Sequence, residues 1–589
     1  MKRPNARRPG REAAQTSARG QSPPWIALAG GVVIGLAVLL AFWPSLSGGF
    51  LWDDDNWIAA VPSTPTHRLI HDDGGLHGIW LTNQTQDYWP LSNSMFWLEW
   101  RLWGMNPAGY RAVNLVLHAI GSILVWRIGR QLGVPWAWLG AILFAVHPVT
   151  VASVAWIAEL KNCLSLTLYA AALLFWLWFD ATGRRVWYAA SLVAFLMALL
   201  AKTSTVVLPV MLLAFAWWRR GRIDRQDVVR ATPFFLLALA MGLMTLWRQT
   251  SGAGVPGDAA ADGLLSRIAA SGWVAWFYLS KALLPVRLAM LYPRWTVDPA
   301  TITAWLPLAA LLGAAAGIHR LDPRWRRPLA MGLGCYLLSL GPVLGILPMW
   351  FRRYSLVSDH LQYLALPAIT LLLAAGLRVA TAIAGWRPLA TGVASVLVVG
   401  CMALTWQRSS VFTSNVSLMQ DSLSKNPSSW TAHTNLGAEL GHLGRPQEAI
   451  EHYQAALRLR PTAFQARNNL ATTLFQLGRL QEAIPHYQEA LRINPDVAEI
   501  HANLGNALAV LGNTSEAASH FREVLRLMPN SAPVHNNLGY ILENEGRLGE
   551  AVTHYEEALR LNPANERARD NLRRAREQLL RQQRDGADQ

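Results

Sequence analysis

Pro461-Thr-Ala-Phe-Gln-Ala-Arg-Asn-Asn-Leu470-Ala-Thr-Thr-Leu-Phe-Gln-Leu-Gly478-Arg-Leu-Gln-Glu-Ala483-Ile-Pro-His-Tyr487-Gln-Glu-Ala-Leu-Arg-Ile-Asn-Pro495 is one turn of a strict period. Pro427, Pro461, Pro495, Pro529 and Pro563 lie 34 residues apart. So do Leu436, Leu470, Leu504 and Leu538; Gly444, Gly478, Gly512 and Gly546; and Ala449, Ala483, Ala517 and Ala551. Tyr453, Tyr487, Phe521 and Tyr555 complete the set. A period of this length marks one supersecondary unit that buries its apolar face only against its neighbours. Leu and the aromatic fill the space between two antiparallel helices, and Ala lets them approach closely. Gly opens the turn and Pro ends the second helix. An α-solenoid follows.

The spacing resembles the tetratricopeptide repeat, with four copies over 430–563, a capping helix and tail over 564–589, and a linker or degenerate half-repeat over 407–429. Asn435, Asn469, Asn503, Asn537 and Asn571 also recur, just before the repeat leucine on the first helix. Stacked amides offer paired donors and acceptors that can hold a peptide main chain on the inner curve, and the column is similar to the asparagine ladder of the O-GlcNAc transferase repeats. The competing reading is that the amides join adjacent turns. His452, His486, His520 and His554 sit beside the packing aromatic, a spacing that suits repeat surface chemistry better than metal ligation.

The chain upstream of the repeats is of another kind. Of 589 residues, 52% are hydrophobic, 28 are Trp and only 15% are charged, and the apolar residues concentrate before about residue 406. Segments near 25–43, 110–129, 136–155, 163–179, 186–201, 203–218, 231–247, 301–318, 329–347, 361–379 and 387–406 read as eleven membrane spans, the shorter ones marginal. The first reads as an anchor rather than a cleaved leader. An all-α protein is expected: a polytopic helical bundle over 25–406, then the solenoid.

Arginine placement orients the bundle. The basic segment 1–24 and every second connection (Arg127 and Arg130; Arg184 and Arg185; Arg219 to Arg230; Arg320 to Arg327; Arg378 and Arg387) fall on one side, the cytoplasmic one. They account for the whole of the formal net charge of +15, so the basic balance reports topology and not a nucleic-acid partner. Residues 267–290 are treated as an outer re-entrant or interfacial segment, since a twelfth span would put Arg320 to Arg327 outside. The loop 44–109 and the repeats then face out, into the periplasm of a bacterium or the lumen of the endoplasmic reticulum in a eukaryote. Cys163, Cys335 and Cys401 lie in apolar segments and suggest packing, not disulfides.

At the exit of the first span stand Asp53, Asp54 and Asp55. Three carboxylates there are a solvated loop start, or a general base or cation site at the membrane surface. Several stretches decide between these when taken together. Phe50-Leu-Trp-Asp-Asp-Asp55, Tyr88-Trp-Pro-Leu-Ser92, Phe96-Trp-Leu-Glu-Trp-Arg-Leu-Trp-Gly104, Asn114-Leu-Val-Leu-His118, His147-Pro-Val149, Val154-Ala-Trp-Ile157 and Ser358-Asp-His-Leu-Gln-Tyr-Leu364, in this order and followed by the repeats, resemble the transmembrane and tetratricopeptide-repeat O-mannosyltransferase-like proteins. The resemblance implies a glycosyltransferase of the GT-C class. Such an enzyme takes sugar from a polyprenyl phosphate and, in eukaryotic members, places it on Ser or Thr hydroxyls. It places the acidic motif on Asp53 and Asp54. Three places depart from the pattern: Ala152 where relatives show glutamate, Leu160 where they show a basic residue, and Asp359-His360-Leu361 where many show Asp-Arg-Tyr.

Such a transfer needs a base for the hydroxyl, cations for the leaving phosphate, and exclusion of water. Asp53 or Asp54 is the expected base, with the other fixing geometry. A divalent cation is possible on Asp53, Asp54 and Asp55 but is not required. Arg352 and Arg353 lead the phosphate candidates, with Lys202, Lys161, His360 and His147 behind them. The expected partners are a polyprenyl-phosphate-linked sugar, membrane lipid, and a protein acceptor on the concave face of the repeats. The alternatives are a non-catalytic repeat scaffold for envelope assembly, and a transferase acting on a glycan or lipid.

Overall fold

The computed structural model describes residues 24–54, 58, 65–82, 87–251, 263–347, 351, 354–382 and 387–587. Every element of secondary structure among them is helical. The chain divides into two compact units, residues 1–421 and 422–589.

In the first unit each of the eleven expected segments holds a helix. Among the described residues six helices are long and apolar enough to cross a membrane: Trp25–Leu46, Pro107–Gln131, Ile157–Thr182, Arg225–Arg248, Ile302–Arg320 and Pro388–Val411. A seventh is reached if Ala137–Ala145 and Pro148–Val154, bent by 46° at His147, count as one span. The expected count of eleven is therefore not met by full-length helices. Arg185–Ala201 has 17 residues, about 25 Å at the helical rise, and Leu208–Arg220 has 13 after a 3-10 turn. Leu28, Leu236, Leu312 and Val396 stay exposed on these helices, as expected where hydrocarbon replaces water. The interior packs Phe195, Leu199, Leu208, Leu212 and Phe234. At one end Asp180 accepts from Arg219 and Arg220 at 2.6 and 3.0 Å.

The bend at His147 leaves carbonyls without helical partners, and buried side chains take them up. His118 Nε2 donates to Ala145 O (2.9 Å), Thr405 Oγ1 to Val146 O (2.7 Å) and Thr150 Oγ1 to His147 O (2.7 Å). A broken helix survives at membrane depth only when its backbone is repaid in this way.

The second unit stacks four helix pairs: Trp430–His442 with Pro446–Leu459, Phe464–Gln476 with Leu480–Ile493, Ala498–Val510 with Thr514–Leu527, and Ala532–Asn544 with Leu548–Leu561. The helix Glu566–Ala587 follows them. Gly444, Gly478, Gly512 and Gly546 have φ of +73°, +75°, +84° and +77°, the left-handed turn that only glycine enters without strain. The periodic Leu, Ala and aromatic side chains are all buried.

Candidate functional site

Between the bent helix and Ile157–Thr182 the backbone is irregular, and three side chains staple it. Arg111 is fully buried and donates to Ala155 O at 3.0 Å and to the carbonyls of Gly48 and Gly49. Asn114 Nδ2 donates to Trp156 O at 3.3 Å. Asp54 is fully buried; its carboxylate accepts from the N–H of Leu51 at 2.8 Å and of Ala158 at 2.7 Å. Burial pushes the Asp54 carboxyl up to about 7, against the pull of the two N–H groups and Arg111. Asp54 is thus a tether between the first loop and the turn that carries Glu159.

Asp53 is half-buried, and its charge acts on Asp54. The turn that leads into the two is held by Trp52. Its φ is +43°, its ring stacks on Trp156 at 5.8 Å, and its N–H donates to Asn415 Oδ1 at 2.8 Å. Asp55 lies outside the described residues, as do Arg352 and Arg353. No group of three or more potential metal-ligating side chains occurs among the described residues.

Three of the remaining phosphate candidates converge, and they do so on Glu159, a carboxylate absent from the sequence-based set. Lys161 Nζ lies 3.1 Å from Glu159 Oε1, Lys202 Nζ lies 3.7 Å from Oε2, and His360 Nε2 lies 4.0 Å from Oε1. Asn162 completes the group, donating to Glu159 Oε2 (2.5 Å) and His360 O (3.1 Å), and accepting from Lys202 Nζ at 2.5 Å. Burial pulls the Lys202 amine down to about 8, with Glu159 opposing, and the imidazole of His360 down to about 4. The cluster thus sets two lysines against one carboxylate, with burial favouring the neutral form of the His360 imidazole.

His360 sits on a strap fixed from below. Ser358 Oγ bonds its Nδ1 at 2.8 Å, Tyr278 OH accepts from Ser358 N–H at 3.1 Å, and Tyr292 OH donates to Asp359 Oδ1 at 2.8 Å. Both tyrosines come from the 264–292 region, whose helix Leu264–Leu283 covers most of the expected re-entrant segment. His147 stands apart: Nε2 donates to Ala282 O (3.1 Å) and Nδ1 accepts from Val149 N–H (3.3 Å). Both its nitrogens serve the main chain at the bend. Leu160 packs with Ile58, Ile70, Phe96, Tyr110 and Ile157, and Ala152 is buried in the short helix Val151–Val154.

In the repeats the asparagines bond across neighbouring units. Asn503 Nδ2 donates to Asn468 Oδ1 (3.2 Å), Asn537 Nδ2 to Asn506 Oδ1 (3.0 Å) and Asn571 Nδ2 to Asn536 Oδ1 (3.0 Å). Asn435 Nδ2, in the first repeat, is shielded and has no acceptor among the described residues.

Family models described as tetratricopeptide repeat match residues 434–498, 474–538 and 532–565. Protein O-mannosyl-transferase F38B6.6 of Caenorhabditis elegans is 28% identical over 24% of this chain and 22% of its own length. Protein O-mannosyl-transferase Tmtc1 of Drosophila melanogaster is 34% identical over 20% and 15%. Protein O-mannosyl-transferase TMTC4 of Mus musculus is 25% identical over 72% of this chain and 65% of its own length. The last match is longer than the repeat unit and so takes in much of the membrane unit. The chain spans less than two thirds of each of these relatives. Among solved structures, MamA aligns at 23% identity and a TM-score of 0.24 over 25% of this chain and 86% of that one. In the order of its motifs and in joining apolar helices to tetratricopeptide repeats, the chain resembles the transmembrane and tetratricopeptide-repeat O-mannosyl-transferase proteins.

Proposed function

We propose that this protein is a membrane glycosyltransferase of the GT-C class that moves a sugar from a polyprenyl phosphate to a hydroxyl, on protein Ser or Thr, outside the cytoplasm. The observation that carries the reading is the Lys161–Lys202–His360–Asn162 cluster around Glu159. Two ammonium groups and one carboxylate leave one positive charge in a largely desolvated setting, the complement of a singly charged phosphodiester.

The chemistry divides among named groups. Asp53 takes the proton of the acceptor hydroxyl as its oxygen bonds the anomeric carbon. The bond from that carbon to the phosphate oxygen breaks, and the oxygen leaves with the electron pair. Lys161 and Lys202 hold the departing phosphate, His360 donates to it as a neutral hydrogen-bond donor, Asn162 orients Lys202 and Glu159, and Glu159 keeps the two lysines in place when no phosphate is bound. Asp54 fixes the turn beneath Glu159. The repeats recruit the acceptor protein, with the unmatched Asn435 amide available to a peptide carbonyl.

Intact-glycoprotein mass spectrometry of the envelope fraction, with and without the gene, tests the reading. Loss of hexose from Ser/Thr-modified proteins in the deletion strain supports it. Loss confined to lipid-linked glycans would move the acceptor to a glycan or lipid, and no change in either would favour the scaffold.

A further inference from the structure

Arg248 ends the helix Arg225–Ser251 on the side that the arginine pattern assigns to the outside. Its guanidinium is incompletely used. Nη2 donates to Thr82 O at 3.0 Å, while Nε and Nη1 are shielded from solvent and meet no acceptor among the described residues. The group lies 5.3 Å from the ring centroid of Tyr88 and 5.8 Å from that of Trp247. Two shielded donors left idle on a partly buried guanidinium are costly unless a ligand takes them.

Independent contacts bring this arginine to the lysine cluster. Thr245, one turn earlier on the same helix, bonds Thr203, the residue after Lys202, at 2.9 Å. Trp89, next to Tyr88, carries the Lys161 ammonium over its ring at 5.2 Å. Ser92 of the same Tyr88–Ser92 motif donates to Ala201 O, the residue before Lys202, at 2.9 Å. Asp87 acts electrostatically on Lys202. The Tyr88-Trp-Pro-Leu-Ser92 stretch is therefore a bracket between Arg248 and the two lysines.

We propose that Arg248 binds the leaving lipid phosphate and specifically takes up the second negative charge that it acquires. This rests on the donor reading above. A sugar-linked phosphodiester carries one charge, which Lys161, Lys202 and Glu159 already balance. Once its bond to the sugar breaks, the phosphate is a monoester whose second ionisation lies near pH 6, so at neutral pH it holds nearly two charges. Arg248 stabilises that developing charge, with two free donors in the fork geometry that suits phosphate oxygens.

The test uses the full-length protein in lipid nanodiscs and two probes, farnesyl phosphate and its methyl diester, with binding read from tryptophan fluorescence. At pH 7.5, Arg248→Gln lowers affinity for farnesyl phosphate by on the order of tenfold or more, the scale of one charge-assisted hydrogen bond. Affinity for the diester stays within about twofold, and the gap closes at pH 5, where the monoester carries one charge. Arg248→Lys keeps most of the monoester preference, and its result decides the matter if Arg248→Gln melts early. Equal weakening of both probes, or of neither, overturns the assignment. Lys202→Gln weakens both probes; if it weakens neither, the donor reading itself fails, whereas a Lys202 effect without an Arg248 effect removes only this inference.

Discussion

Replacing Asp54 by Asn and, separately, Asp53 by Asn divides the acidic motif into its structural and chemical halves. The two oxygens of Asp54 accept from the N–H of Leu51 and of Ala158 at 2.8 and 2.7 Å in a fully buried setting. An amide supplies one acceptor and turns its NH2 toward the other N–H, so one buried backbone donor loses its partner. A hydrogen bond to a charged group contributes about 1.5–3 kcal/mol, and an orphaned buried donor costs about 1–3 kcal/mol. Because relief of carboxylate burial offsets part of this, a net destabilisation of about 2–3 kcal/mol is expected. Thermal melting in detergent should therefore fall by several degrees for Asp54→Asn, with transfer by the folded fraction reduced only as the Glu159 turn loosens. Asp53→Asn should melt like the wild type and lose turnover by roughly 10²–10⁴-fold, the usual contribution of a general base. An Asp54→Asn protein that melts normally but is inactive, beside a fully active Asp53→Asn protein, would reverse the two roles.

Three further outcomes follow from the same geometry. In the repeats, His433 with His452, His501 with His520, and His535 with His554 face each other through Nδ1 atoms 2.9 Å apart. His501 and His535 donate from Nε2 to Pro495 O and Pro529 O, so a single proton bridges each of those two ring pairs. Burial, aided in His433, His520 and His554 by the facing ring, holds the imidazoles of His433, His452, His520 and His554 below their usual 6.5. Folded histidines with depressed pKa leave the repeats fully stable above about pH 6.5 and destabilise them as pH falls below it; circular dichroism melts across pH 5–8 should show this, and His520→Gln with His554→Gln should flatten the slope. Replacing Asn503 and Asn537 by Ala removes the bonds to Asn468 and Asn506, so the repeat melt should drop by about 0.5–1.5 kcal/mol per bond; an unchanged melt with weakened peptide binding would return the column to a purely recognition role. A periplasm-active reporter fused after Gln589 should be active and one within 219–230 silent; the opposite pattern would invert the topology.

The repeats were legible because every determinant of the hairpin recurs at one spacing, down to the glycine turns at 444, 478, 512 and 546. The membrane unit was legible as helical but not in its span count. Apolar composition locates a segment, whereas the bend at His147 and the shortness of Leu208–Arg220 depend on tertiary partners such as His118 and Thr405. Lys161, Lys202 and His360 were found from their placement at the outer ends of apolar segments. Glu159 was not, although one signal was present: an acid inside the run from Val154 to Leu166, two residues before Lys161, is costly to bury without a partner. Arg248 was hidden at the end of a long apolar helix, where an arginine reads as an interfacial anchor. The burial of Asp54 could not be read at all, since its partner, the Ala158 N–H, lies on a turn brought to it only by the fold.

The central claim is that the lysine cluster around Glu159 handles a lipid-linked phosphate during sugar transfer. The most direct test incubates the purified full-length protein in nanodiscs with radiolabelled polyprenyl-phosphate mannose and a Ser/Thr-rich peptide, comparing wild type with Lys202→Gln and Lys161→Gln. Label should appear on peptide hydroxyls with the wild type and fall by at least about tenfold with either substitution, as expected for losing a cation at the leaving group. Transfer that proceeds at the wild-type rate in both variants would contradict the account.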